Sequence, residues 1–220
     1  ESPAKRQLQQ KTRRGDFEHL VIHSSIIRPA ANDYIREYVR RLRGGDWTSL
    51  HPILDEVLHE TYGIMCYQED VARTAIRMAG FTDAEADGLR KVLSKKWAGK
   101  KVEDYRQQFS RGALARGIAP IVVQEVWRMI LSFSGYSFCK PHSASYALVS
   151  FKSCYLKAHH PAEFMAAVIS NGGGYYSTFA YVSECRRMGL AVLLPDINDS
   201  DQAYTGRSAS SGEARGAVRV

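Results

Sequence analysis

Apolar positions recur every three to four residues along most of this chain, the spacing of helices that bury one side. Residues 1–14 are a basic lead-in of uncertain order, with Lys5, Arg6, Lys11, Arg13 and Arg14. Residues 17–27 (FEHLVIHSSII) are apolar on most sides and end at Arg28-Pro29, where proline limits a helix. Asn32 is expected to cap a helix over 33–43 that sets Arg36, Arg40 and Arg43 along one face, with Gly44-Gly45 ending it. Leu50, Ile53, Leu54, Val57 and Leu58 mark a short amphipathic helix, and TYG at 61–63 turns the chain. A helix from about Tyr67 to Met78 closes at Gly80. Thr82 and Glu85 then form a capping box. The helix they open shows Asp87, Arg90, Lys91 and Ser94 on one face and Ala86, Leu89, Val92 and Leu93 opposite. Helices over 101–116 and 120–134 follow, the second stopped by Gly135.

The chain is organised around residues 133–159, FSGYSFCKPHSASYALVSFKSCYLKAH. A short loop rich in Gly, Ser and Pro carries Lys140 and His142 and runs into a helix starting near Ser143 or Ala144. Tyr146, Ala147, Val149, Phe151, Cys154, Tyr155 and Ala158 surround most of that helix, which predicts burial on all sides. Pro161 and Glu163 open a further helix to about Ser170, and Gly172–Gly174 reads as a hinge. A helix from about Ser177 to Met188 stops at Gly189, and LAVLLPD at 190–196 reads as a short buried strand. Ala203–Thr205 and Ala217–Val220 are further strand pieces. The expected fold is mainly α, with a multi-helix domain over 1–189 and a small β appendage over 190–220.

Composition narrows the chemistry. A net charge of +7 permits a polyanionic partner. Cys66, Cys139, Cys154 and Cys185 lie far apart with no C-x-x-C spacing, so zinc and disulfide frameworks are not expected and a cytoplasmic setting fits. No apolar run reaches the ~20 residues of a membrane span, and no signal peptide opens the chain. Beginning at Glu1 and ending at Val220 within an apparent strand, it reads as a piece of a longer protein. A cation and an imidazole just before a helix N-terminus predict an anion or phosphate site at Lys140 and His142. Other features are weaker. Asp199-Ser200-Asp201 has D-x-D spacing but no strand to hold it, and His159-His160 diverge as neighbours on a helix end. Cys139 has no base at fixed spacing, so it reads as a passive thiol.

Four segments say more than the patterns: TYGIMCYQEDV (61–71), AGFTDAEADGLRKVLSKK (79–96), the stretch over 133–170, and RRMGLAVLLPDIN (186–198). In this order they resemble the bacterial C-family DNA polymerases, which comprise the polymerase III alpha subunits and an error-prone paralogue, and the likeness runs from about Glu1 to Asn198. The resemblance implies a fingers domain that closes over an incoming deoxynucleoside triphosphate. It implies triphosphate contacts from Arg90 and Lys91, where lysine stands for the family's second arginine and loses its bidentate fork. Lys95 and Lys96 match the family's paired lysines, with Ser94 in place of a preceding glycine. Lys140 and His142 match the lysine and histidine before the long helix, the histidine lying against the nucleotide sugar, and Tyr146 matches an aromatic near the nascent base pair. Arg28-Pro29-Ala30-Ala31 is what remains of an arginine-proline-glycine-proline segment. With Cys139 and Pro141 replacing asparagine and serine, this tilts the likeness toward the error-prone branch.

Nucleotide-binding roles are therefore expected at Arg90, Lys91, Lys95, Lys140, His142 and Tyr146, and DNA contacts at Arg28, Arg36 and Lys96. The resemblance implies Mg2+ held by palm carboxylates upstream of Glu1, with no metal ligands here. Primer-template DNA is the implied partner, and a sliding clamp and other polymerase subunits would bind through regions outside this chain. The competing reading is a non-enzymatic basic helical module for DNA or protein. The two differ over whether Arg90, Lys91, Lys140 and His142 converge.

Overall fold

A computed structural model describes residues 2–28, 31–95, 99–133, 138–172, 174–209 and 215–219. It divides the chain into two compact units, one of Ala4–Ala147 and the other of Leu148–Val220 with Glu1–Pro3. Gly189, where the helices are expected to give way to a strand, lies within the second unit.

The first unit is helical. The basic lead-in is itself a helix, α1 (Pro3–Thr12), fixed by burial of Leu8 and Thr12. Asp16 caps α2 (Phe17–Ile26) by accepting the His19 N–H at 3.0 Å. The third helix, α3 (Asn32–Leu42), takes Asn32 as its first residue, and its N-cap Ala31 offers no side-chain bond, so the expected asparagine cap is not used. Next come α4 (Pro52–Leu58), a 3-10 turn at His59–Thr61, and α5 (Gln68–Ala79). Gly80 closes α5 with φ +73°, a left-handed cap that glycine adopts without strain. The capping box is present at α6 (Asp83–Leu93): Thr82 Oγ1 accepts from the Glu85 N–H, and Glu85 Oε2 accepts from the Thr82 N–H at 2.8 Å. Helices α7 (Gly99–Ala115) and α8 (Pro120–Leu131) complete this bundle. Helix α8 ends three residues earlier than expected, and Gly135 lies outside the described residues. Val71, Met78, Phe81, Leu89, Phe109, Trp127 and Ile130 form the α4–α8 core, while Val21, Ile22, Ile26, Tyr38 and Tyr67 form a second one under α1–α3.

Helix α9 (Lys140–His159) departs from the sequence reading twice. It begins at Lys140, so Lys140 and His142 occupy its first turn rather than a loop. Pro141 fits there because a first-turn N–H has no intrahelical partner to lose. Its buried residues are Ser143 and Ala147, one turn apart, and Ser143 Oγ lies 2.5 Å from Ser25 Oγ of α2. Tyr146 is 54% exposed and Tyr155 60% exposed, so the helix is not covered on all sides by the described residues.

The second unit packs α10 (Pro161–Ser170) and α11 (Thr178–Arg187) with three short strands, β1 (Ala191–Leu193), β2 (Thr205–Arg207) and β3 (Ala217–Arg219). The strand order is β1-β3-β2, with β1 parallel and β2 antiparallel to β3. Met165, Ala166, Ile169, Cys185, Leu190 and Val218 fill its core. The run 190–196 is not the buried strand expected: only Leu190 is buried, the strand has three residues, and Leu194 is 75% exposed.

Buried polar groups in the first unit set its response to acid. His23 is 1% exposed, with Nδ1 2.7 Å from Gln9 Oε1 and Nε2 3.2 Å from the Tyr38 hydroxyl. Burial, with His19 nearby, lowers its pKa from 6.5 to about 4. Asp70 is also buried, and burial raises its carboxyl to about 6 although the Cys66 and Tyr67 N–H groups donate to it. Between pH 6.5 and 4 the unfolded chain carries the His23 proton and the folded one does not, so this group removes stability as pH falls. Between pH 6 and 3.8 the folded chain carries the Asp70 proton and the unfolded one does not, so this group adds stability as pH falls. Each slope is about 1.4 kcal/mol per pH unit at its fullest, and the two oppose. Urea unfolding at pH 4.5, 5.5 and 6.5 is expected to show His23→Gln gaining stability on acidification relative to wild type and Asp70→Asn losing it. Parallel pH profiles for all three proteins would show that neither group titrates as stated.

Candidate functional site

The cationic face of α6 forms as its spacing requires. Ala86, Leu89 and Leu93 are buried against the core, which turns Asp87, Arg90 and Lys91 outward. Asp87 ties the two cations together, with Arg90 Nη2 and Lys91 Nζ each 2.7 Å from its carboxylate. The Lys91 ammonium and the Arg90 guanidinium hold the Asp87 carboxyl below its usual range. Lys95 is exposed just past the end of this helix, and Lys96 lies outside the described residues.

The first turn of α5 joins this face to the start of α9. Arg90 Nη1 donates to Gln68 Oε1 at 2.9 Å, and the Gln68 N–H donates to Phe138 O at 3.1 Å, two residues before Lys140. Glu69 Oε2 accepts the Lys140 N–H at 3.0 Å. The Lys140 ammonium pairs with Glu60 and lies 5.6 Å from the Tyr67 ring centroid. His142 stacks on Phe138, centroids 5.5 Å apart and planes inclined by 13°, and meets Tyr146 edge-on at 4.6 Å. Arg90 and the Lys140–His142 turn are thus held to one helix end. A cavity of about 150 Å3 opens beside His142, lined by Lys5, Ser24, Phe138, His142, Ser143 and Tyr146. Arg90 and Lys91 do not line it.

Sequence reasoning missed Lys5, Glu60, Gln68, Glu69 and Phe138. Lys5 lay in a stretch without a firm period. Glu60, Gln68 and Glu69 are partners across long sequence separations, for which a single sequence carries no spacing signal, while Phe138 lies only four residues before the His142 it stacks on.

The two arginines expected at DNA differ in setting. Arg28 is 6% exposed, and its Nη2 donates to Met65 O at 3.2 Å and to Ser132 Oγ at 3.1 Å, with the guanidinium 3.6 Å from the Phe133 ring centroid. Burial lowers its pKa. Arg36 is exposed and pairs with Asp33 on the first turn of α3. Both, with Lys11 and Asn32, line a cavity of about 420 Å3 between α1 and α3.

The model of the bacterial DNA polymerase III alpha subunit finger domain matches residues 1–117. The chain is similar to the DNA polymerase III alpha subunit of Neisseria meningitidis serogroup A, 39% identical over 190 residues that make up 86% of this chain and 16% of that protein. It is similar to the error-prone DNA polymerase of Symbiobacterium thermophilum, 37% identical over 209 residues, 93% of this chain and 19% of the relative. The alpha subunit of Thermus aquaticus is 37% identical over 195 residues, 84% of this chain and 16% of that one. The chain therefore spans 16% to 19% of the length of these relatives. Alpha-subunit and error-prone relatives match at near-equal identity, so identity does not divide the two branches.

Burial separates the two arginines in a stability measurement. Arg28→Ala is expected to cost about 2–4 kcal/mol by urea unfolding, since it removes buried hydrogen bonds and a cation–π contact. Arg36→Ala, fully at the surface, is expected to stay within about 0.5 kcal/mol of wild type. Equal effects would refute this division.

Proposed function

This chain belongs to the bacterial DNA polymerase III alpha subunit finger domain family, and from that premise we propose that it binds the incoming deoxynucleoside triphosphate and the nascent base pair during template-directed DNA synthesis. The observation that carries this reading is the tie from Arg90 through Gln68 to Phe138, with Lys140 held beside it by Glu69. A basic module without a nucleotide site gives no reason for cations from α6 and α9 to share one helix end.

Each residue has a stated role. Arg90, Lys91, Lys95 and Lys140 neutralise the phosphate tail as charge builds on the leaving pyrophosphate. His142 lies against the sugar, stacked on Phe138, and Tyr146 flanks the nascent base pair. Arg36 and Lys96 contact DNA phosphates, while Arg28 shapes the cavity that Arg36 lines. Closing such a unit over a correct pair couples pairing to rate. The chain's partners on this reading are primer-template DNA and, through other regions of the polymerase, a sliding clamp and further subunits.

Mg2+ belongs to this chemistry, and palm carboxylates elsewhere in the polymerase are proposed to hold it. Among the described residues no group of three His, Cys, Asp or Glu side chains is placed to hold a metal ion. No helix among the described residues is long and apolar enough to cross a membrane.

Titration of the full chain with a deoxynucleoside triphosphate tests the site. The Arg90→Ala/Lys140→Ala double variant is expected to bind roughly 100-fold more weakly, the loss of two charge-assisted contacts. Equal affinity for wild type and the double variant would sink the nucleotide site. Purified residues 1–220 are expected to show no primer extension with Mg2+ and all four triphosphates. Extension would overturn the placing of the carboxylates elsewhere.

A further inference from the structure

Helix α1 brings one more cation to His142. Lys5 lines the 150 Å3 cavity with Ser24, Phe138, His142, Ser143 and Tyr146, none of which is a carboxylate. Its Nζ lies 3.4 Å from Ser24 Oγ and 5.9 Å from the Tyr146 ring centroid. Ser24 is fixed in turn, donating to Leu20 O at 2.9 Å. The first turn of α9 holds no acid of its own, but Glu69 accepts its Lys140 N–H and the Ser143 N–H donates to Cys139 O, so the formal charge at the cavity comes from Lys5. A void of this size takes a phosphoryl group or a sugar, several times the roughly 30 Å3 that a water occupies in the liquid, but not a whole nucleotide. Its one cation, Lys5, and the absence of a carboxylate from the lining suit the phosphoryl group.

We propose that Lys5 binds a phosphate oxygen of the nucleotide beside His142, making α1 a third wall of the site. The inference rests on the nucleotide-site reading above. Partial burial also lowers the Lys5 pKa, so an arriving anion meets an ammonium already stripped of part of its water.

The test titrates the full chain with dATP and, separately, with 2′-deoxyadenosine, which has no phosphate. Lys5→Met is expected to weaken dATP binding about tenfold and leave the nucleoside unchanged, while Lys5→Arg stays within about threefold of wild type for both. Lys5→Gln, read in the same way, replaces Lys5→Met should the latter melt well below wild type by circular dichroism. Wild-type dATP affinity in Lys5→Met beside a weakened Arg90→Ala would overturn the role of Lys5 and leave the site standing. An equal loss for dATP and nucleoside would make Lys5 a packing residue and overturn the proposal. Failure of wild type to bind dATP, or no loss in Arg90→Ala, would remove the site reading and this inference together.

Discussion

Three consecutive side chains at the start of α5 hold the first unit's cationic segments in place. Gln68 accepts from Arg90 of α6, Glu69 accepts the first N–H of α9, and Asp70 accepts the N–H groups of Cys66 and Tyr67. Acids belong at a helix N-terminus because the helix dipole favours negative charge there. Here the two acids also gather N–H donors from outside the helix that would otherwise lack partners. Each such bond contributes only about 1 kcal/mol net, but leaving a buried donor unpaired costs about 1–3 kcal/mol, so the arrangement resists piecemeal loss. The raised pKa of Asp70 measures what burial costs its charge. Without this turn, α6 and the head of α9 have no common anchor.

The same residues leave the site charged yet internally balanced. Arg90 and Lys91 lean on Asp87, and Lys140 leans on Glu60. Exposed pairs of this kind are worth little, typically under about 1 kcal/mol, because water and salt screen them. On the nucleotide-site reading proposed above, a triphosphate bearing several charges would displace a single carboxylate at small cost. The carboxylates would meanwhile keep the cations oriented, so that less reorganisation is needed on binding. Lys140 also lies near the Tyr67 ring, and that apolar face stays in place whichever anion holds the ammonium.

Local rules made most of the helices legible. The Thr82–Glu85 box, the Gly80 stop and the apolar stripe of α6 each depend on residues within four positions, and each formed as read. Errors arose where tertiary contact outweighs local preference. Helix α1 has a weak apolar stripe and forms because Leu8 and Thr12 have somewhere to go. Asn32 prefers a cap, yet the backbone bond from the Ile35 N–H to Ala31 O sets the cap one residue earlier. Helix α9 reads as buried because its sequence is apolar on all sides, but only the small residues Ser143 and Ala147 find neighbours close enough to exclude water. For the site, residue types and their spacing pointed to Arg90, Lys140 and His142, while the hydrogen-bond acceptors Gln68, 22 residues from Arg90, and Glu69, 71 residues from Lys140, did not register.

Arg28 shows why charge alone is a poor guide to a nucleic-acid contact. Its guanidinium joins the end of α2 to the turn at Met65 and to the end of α8 at Ser132, and it lies over the Phe133 ring. Both bonds come from Nη2, so what lysine would lose is the delocalised guanidinium over the Phe133 ring. Among the described residues its Nε and Nη1 have no hydrogen-bond partner, so the contact is held by fewer bonds than the group can make. A guanidinium buried to this degree has to give up the Phe133 stack and two bonds before it can reach a phosphate on DNA. Arg36 and Lys11, both exposed at the cavity that Arg28 also lines, would not have to give up such a contact to meet a phosphate on the reading proposed above. The fold thus gives the members of one basic cluster different settings: Arg28 is buried in the wall of the cavity, and Arg36 and Lys11 are exposed at it.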